Sequence, residues 1–442
     1  MERRLKVWAL AFVLAVLGGL FSILVLLSGR AESARRIVME RWTETIGPQE
    51  EVFDRYPAKE TNSDARELID ATLPFGVDSA PRYDEDLPRP DLVIATRFKE
   101  FKAHGSSWYG RQLRRISGPP DPPPESVAEF LAGFREEIDR VQEVLLGEGT
   151  IEWELNLAAL WGAPIPNLLG HIDLNKLLLA DCFAALSAGD TERAERALES
   201  AWRLGELLDE RPEIITQLTL LGIKRTQAQA VRFLPHLEHW HPRLDGNALR
   251  KRIEQALLLE GWVWPQIDFG PGKDASAWRR INAAVAGPFM RLGTADASER
   301  LRRTLVRLRE TPAWCKPALD RVAFSFNIPM PWWNRFGEIL IFDVENTVTR
   351  VARTQLQFEL TRRVLEMAAT REQTGTWPVQ SEPWLQSRAC PPDRWVYTAD
   401  DTVASIRLDR DFEPLTGLDR FVAWEFSLAA AALPQPEPSR RN

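Results

Sequence analysis

The sequence predicts a mainly α-helical protein: an N-terminal transmembrane helix, a body of helical hairpins, and a small C-terminal antiparallel β element. An uncharged apolar run opens the chain, and apolar residues then recur at spacings of three and four through most of it. After Gly375-Thr376-Trp377-Pro378 the period shortens to two. The 442 residues can bury a large core, and 44% hydrophobic with 27% charged residues is an ordinary globular balance. A net charge of -7 argues against nucleic acid as a partner, because neutralising phosphates needs a surplus of Lys and Arg.

Val7 to Ser28 carries no charge. Its roughly 22 residues make a helix of about 33 Å, enough to cross the hydrocarbon core, where a signal peptide would have a shorter apolar region. It therefore reads as a retained anchor in contact with membrane lipid. Arg3, Arg4 and Lys6 on one side nearly balance Arg30, Arg35, Arg36 and Arg41 on the other. Basic residues packed into so short a tail resist translocation, which keeps the tail in the cytoplasm and sends the body out. The expected location is the inner membrane, single-pass, with an extracytoplasmic body.

Ala31 to Gly47 continues as an amphipathic helix, and Pro48 to Asn62 reads as a loop. Ser63 caps a short helix carrying Leu68, Ile69 and Leu73, which Pro74-Phe75-Gly76 ends. Gly118-Pro-Pro-Asp-Pro-Pro-Pro124 is an extended spacer and a soft boundary. Ser126 starts a long helix with Val127, Phe130, Leu131, Phe134, Ile138, Val141 and Leu145 inward. Prolines 164 and 166 break the pattern. Asp173 to Ser187 and Thr191 to Leu208 form two helices joined at Gly189-Asp190, with Asp190 as cap.

Ala194, Ala197, Leu198, Ala201, Leu204 and Leu208 make one small-residue stripe on the second of these helices. At Gly189-Asp190, Ala194, Leu198 and Ala201 the chain resembles a tetratricopeptide hairpin. The resemblance covers about a tenth of the chain, has no second copy at a period of about 34 residues, and implies hairpin packing rather than a peptide-binding array.

Further helices are expected over Glu213 to Leu234, Asn247 to Trp262, Ala275 to Ala286 and Ser298 to Arg309. Thr311 to Trp333 is irregular, and Ile339 to Arg371 gives the longest helical pattern. Trp395 to Tyr397, Ala404 to Leu408 and Phe421 to Phe426 read as strands, the first two joined across Asp400-Asp401. The succession of anchor, helical body, Gly-x-Trp-Pro and short sheet loosely resembles uncharacterised bacterial single-pass membrane proteins, a likeness that implies no activity. The expected organisation is tail and anchor over 1–30, an N-terminal helical segment over 31–117, a helical body over 125–374, a small β element over 375–433 and a disordered tail over 434–442.

Cys182, Cys315 and Cys390 are too few for a disulfide framework and too dispersed for a zinc site. Three buried thiols is one reading. In an oxidising compartment Cys315 and Cys390, both beside prolines, are the pair to bridge. Seventeen Trp against four Tyr suit either aromatic grooves or packing between large helices, and their scatter favours packing.

Candidate chemistry is sparse. His236, His239 and His241 fall in Pro235-His-Leu-Glu-His-Trp-His-Pro242, where Glu238-x-x-His241 has a di-metal spacing, but bracketing prolines favour histidines at a helix end. His104 and His171 stand alone. Gly105-Ser-Ser-Trp-Tyr-Gly110 misses the nucleophile-elbow spacing and reads as a surface turn. Gly270-Pro-Gly-Lys-Asp274 lacks the residues of a phosphate loop and reads as a helix entry capped by Asp274. Glu152 and Glu154 flank Trp153, a pairing that could serve a sugar; on a strand the two carboxylates would share one face. No catalytic residue is assigned, and no cofactor or metal is expected. The leading expectation is a membrane-anchored envelope scaffold or protein-interaction module with a protein partner; the alternative is a tethered enzyme acting on glycan or peptide. A deep pocket with converging His or carboxylate groups would favour the enzyme, and an open surface would favour binding.

Overall fold

In the computed structural model, which describes residues 2–81, 87–162, 164–234, 238–267, 270, 276–324, 334, 344–379, 382–409 and 424–429, the apolar run and the amphipathic stretch behind it are one helix. This α1 covers Glu2–Ile46 and stops at Gly47, whose φ is 98°. The stretch Leu14–Ile46 is long and apolar enough to cross a membrane, and Leu14, Phe21 and Leu26 on it are exposed. From Ala31 onward the same helix enters the core. Ala31, Val38 and Trp42 are buried at the 3.6-residue period. Trp42 lies so close to Gly261 that a Cβ there would stand 2.4 Å from the indole.

After α2 (Gln49–Arg55), α3 (Ser63–Thr72) is capped one residue earlier than expected. Asn62, not Ser63, accepts from Ala65 N–H at 3.0 Å, and the same amide oxygen accepts from Glu152 N–H at 3.2 Å. A 3₁₀ turn over Leu73–Phe75 ends at Gly76, whose φ is 87°. The stretch expected to hold a surface turn is instead the middle of α4 (Leu92–Arg114). Phe98, Phe101, Gly105, Trp108 and Gln112 are buried along one face of it, so packing holds Gly105 to Gly110 helical. The proline run is extended and straps α4: Trp108 Nε1 donates to Asp121 O at 3.0 Å and Asp121 N–H to Gln112 Oε1 at 2.9 Å.

The single helix expected from Ser126 is two, α5 (Glu125–Gly133) and α6 (Arg135–Leu146), broken at Phe134 with φ -119° and ψ 26°. All seven apolar positions are nevertheless buried. α7 (Leu168–Ala188) and α8 (Thr191–Glu206) form the hairpin read from the sequence. Gly189 is left-handed at φ 78°, and Asp190 accepts from Arg193 N–H at 3.1 Å. A buried polar knot ties α6, α7 and α8: Asp181 accepts from Gln142 Nε2 at 3.0 Å and Arg193 Nε at 3.0 Å, and Arg193 also reaches Asp139 at 2.7 Å.

α9 (Ile214–Val231) and α10 (Gly246–Val263) follow. The next two expected helices are one, α11 (Ala277–Glu310), running through Pro288 and capped by Ser276, which accepts from Arg279 N–H at 3.4 Å, in place of Asp274. α12 (Lys316–Arg321) is short. α13 (Val344–Thr374) is buried on nearly every face, polar Arg353, Gln357 and Thr361 included. Ile339 and Ile341, also expected on that helix, lie outside the described residues. Arg232, just past α9, donates from Nε to Thr361 Oγ1 at 2.9 Å and binds Gln357, joining α9 to the central helix.

β1 (Trp395–Ala399), β2 (Val403–Leu408) and β3 (Glu425–Ala429) make an antiparallel sheet in that order. Asp400 Oδ1 accepts from Thr402 and Val403 N–H at 2.7 and 2.8 Å, closing the first turn. β3 starts at Glu425, directly after Trp424. Phe421 to Ala423 and the tail from Pro434 lie outside the described residues. Among the described residues the main hydrophobic core runs from Val38 to Leu428, with a smaller cluster of Leu208, Leu220 and Ile223 beside it. Cys315, at the start of α12, is bridged to Cys390, with Cα atoms 5.6 Å apart, which corrects the reading of three free thiols; Cys182 is free and buried.

Candidate functional site

Glu152-Trp153-Glu154 is extended, and its backbone pairs with the stretch before α3. Lys59 N–H donates to Leu155 O at 2.9 Å, Leu155 N–H to Lys59 O at 3.0 Å, and Asn62 N–H to Glu152 O at 3.2 Å. Strand geometry turns Trp153 and Leu155 into the core and leaves Glu152 and Glu154 half-buried on the other side. Facing them is the turn between α8 and α9. Arg211, 5% exposed, fixes the two parts together: it donates to Glu154 O at 2.6 Å, to Pro164 O at 2.8 Å and to both Glu213 carboxylate oxygens at 2.5 and 3.1 Å. Gln217 Nε2 holds the turn from beneath, donating to Leu208 O at 2.9 Å and Arg211 O at 2.6 Å.

Between the two segments lies a cleft of about 930 Å³, with Arg55, Tyr56, Lys59, Thr150, Arg203 and Glu210 on its walls. That volume is near the upper end for small-molecule sites. Several of its charges pair with one another. Lys59 Nζ is 2.9 Å from Glu152 and 3.4 Å from Glu210, and the bond to Glu152 raises the lysine above its usual range. Arg252 of α10 meets Asp209 at 2.7 Å, where burial raises the aspartate. Glu152 is held in the cleft wall by the Lys59 ammonium group.

The deeper part differs. Trp153 and Gln217, 3% and 1% exposed, both line the cleft. The indole Nε1–H and the amide Oε1 find no hydrogen-bond partner among the described residues. Buried polar groups are ordinarily satisfied, so a donor and an acceptor left open here suit a ligand that offers both. Behind Trp153, His171 packs edge to face at 5.4 Å, with Nδ1 3.0 Å from Asn167 O, and burial pushes its pKa down to about 4. It is a neutral core histidine at ordinary pH.

The remaining sequence candidates do not converge. His104 is exposed on α4, and Ser106 bonds to the carbonyl of Lys102 on the same helix. His239 and His241 sit in a separate 3₁₀ turn, Glu238–Arg243, beyond the end of α9, which corrects their placement at that helix end. His239 is exposed against Trp240, and His241 Nε2 is 3.3 Å from Glu366. His236 and most of Gly270 to Asp274 lie outside the described residues. Among the described residues, no three His, Cys, Asp or Glu side chains are grouped to hold a metal ion. Lys59, Arg211 and Gln217 escape a sequence reading because they lie 94, 58 and 64 positions from Trp153 and meet it only through the fold.

The fold and cleft define a class: a mainly helical protein with a small antiparallel sheet, an apolar N-terminal helix and a charge-paired cleft. The chain matches no family model, and no curated protein or solved structure resembles it significantly.

Proposed function

We propose that the protein is a membrane-tethered binding module, anchored by α1 in the inner membrane with its body outside the cytoplasm, and that the cleft holds a polar segment of a partner protein. The observation that carries this reading is the division of labour within the cleft. On the walls Lys59 pairs with Glu152 and Arg252 with Asp209, while Trp153 and Gln217 keep one donor and one acceptor without a protein partner among the described residues. A peptide group offers the matching acceptor and donor. The Cys315–Cys390 bridge supports an exported body, because such bonds persist in oxidising compartments. Arg55 and Tyr56 on the cleft wall follow closely on the end of α1, about 27 Å along the helix from Ser28, so the cleft would stand clear of the headgroups.

A photo-crosslinking residue at Thr150, on the cleft wall, is expected to trap a defined protein species in intact cells, whereas one at Glu192 in the first turn of α8 is not. The Gln217→Leu variant, which removes the open acceptor, should abolish the Thr150 adduct. Equal adducts from both positions would overturn the proposal. So would turnover of glycan or peptide by the purified chain that E152Q abolishes, and that result would favour the enzyme. Impermeant thiol labelling of an introduced surface cysteine tests the topology: labelling only after cell lysis would overturn the exported orientation.

A further inference from the structure

The first half of α11 carries an exposed apolar stripe that no described element covers. Trp278, Ile281, Val285 and Phe289 are 69, 56, 47 and 45% exposed, and their spacing of three, four and four puts them on one helix face. The position of this stripe relative to the anchor follows from three contacts. α10 and α11 are antiparallel, since Arg250 reaches Leu308 O and Thr311 O while Gly261 O accepts from Ser298. α1 runs against α10, since Arg35 Nε donates to Pro265 O at 2.6 Å while Trp42 lies on Gly261. α1 and α11 are therefore parallel.

Trp42 Nε1 donates to Ser298 Oγ at 2.5 Å, a separation of 256 positions, and two parallel helices climb at the same rate. On that register Ala31 is level with Gly287 and Val38 with Thr294, and all four are buried, so the helices stay in contact through Pro288. Carried further, the register sets Trp278 level with Ser22, Ile281 with Val25, Val285 with Gly29 and Phe289 with Ser33. The stripe thus straddles the place where the uncharged run ends at Ser28.

We infer that the first three turns of α11 form a second membrane contact, with Trp278, Ile281, Val285 and Phe289 resting in the interfacial zone of the leaflet from which α1 emerges. The inference rests on α1 being a membrane span. Lipid is the occupant because the stripe continues the exposed apolar surface of the anchor at the same height. Tryptophan favours the headgroup boundary. Arg279 beside it bounds the depth, its charge suiting anionic lipid.

The test uses the full chain in liposomes containing anionic lipid. Cys182 is buried and Cys315 and Cys390 are bridged, so a single new cysteine takes an environment-sensitive fluorophore selectively. Labels at Ile281 and Val285 are expected to emit blue-shifted and to be quenched more by a nitroxide near the headgroup than by one at the acyl end. A label at Leu92, exposed on α4, should be insensitive to both. Labels at 281 and 285 that behave like the one at Leu92, while a label at Ser22 is quenched, would overturn the inference and leave the anchor standing. Chain-to-chain crosslinking through 281 would overturn it in favour of a second copy on the stripe. Failure of the anchor itself shows differently: the Ser22 label escapes quenching and alkaline carbonate releases the chain.

Discussion

His171 shows how one side chain couples packing to solution conditions. Unfolded, its imidazole takes a proton near its ordinary pKa of 6.5; folded, it resists until about 4, because burial penalises the cation. Between those values the unfolded chain binds more protons than the native one, so stability falls as pH drops from 6.5 toward 4 and is unaffected by this group above that window. The full effect is about 3 kcal/mol. The urea midpoint of the wild type should drop relative to that of H171F across this window, and parallel profiles would refute the assignment. Comparing the two proteins cancels the opposite contribution of buried carboxylates such as Asp181, which burial raises. Of the residues around His171, Trp153 was legible as a candidate in the sequence. Its partners were not, because the contact with His171 and the cleft shared with Gln217 form only in three dimensions.

The elements separate into those a linear pattern dictates and those packing imposes. The α7–α8 hairpin was legible because a left-handed glycine, a capping aspartate and a small-residue stripe agree with one another. α4 was not, because Gly105-Ser-Ser-Trp-Tyr-Gly has the composition of a turn, and its helical spacing shows only when Phe98, Phe101 and Trp108 are counted with it. The breaks at Phe134 and Pro288 mislead in opposite directions. Apolar periodicity passes straight through a real interruption at Phe134, whereas Pro288, which ordinarily stops a helix, sits in one held by its contact with α1. Gly76 is the clearest point where an element end depends on a single residue. Its φ of 87° favours glycine, and a Cβ there would meet Ile94 O at 2.7 Å. G76A should therefore cost more than the roughly 1–2 kcal/mol of a left-handed alanine alone. Gly189, also left-handed but with nothing within 4 Å of a Cβ, provides the comparison, and equal urea midpoints for G76A and G189A would contradict the steric part of this argument.

Across the whole molecule, the disulfide closes a long covalent loop. It joins the start of α12 to the segment before β1 over 75 positions, and in the chain-entropy account a loop of that size contributes about 4 kcal/mol by restricting the unfolded state. Reduction, or C315S with C390S, should lower the melting temperature while leaving the helical circular dichroism intact; an unchanged melting temperature would count against the bridge. Its loop encloses α13, the helix buried on nearly all sides, so the bond fastens the sheet end of the molecule around its centre.

The other feature at this scale is the unbroken helix between the N-terminal apolar run and the core. α1 passes from the exposed apolar run to the buried Trp42 as one helix. Were that run to span a bilayer, as proposed, a body mounted like this would have no slack tether and would be held at one height above it. Whatever docks in the cleft would have to arrive at that height, so the mounting itself selects between partners near the bilayer and partners that project beyond it.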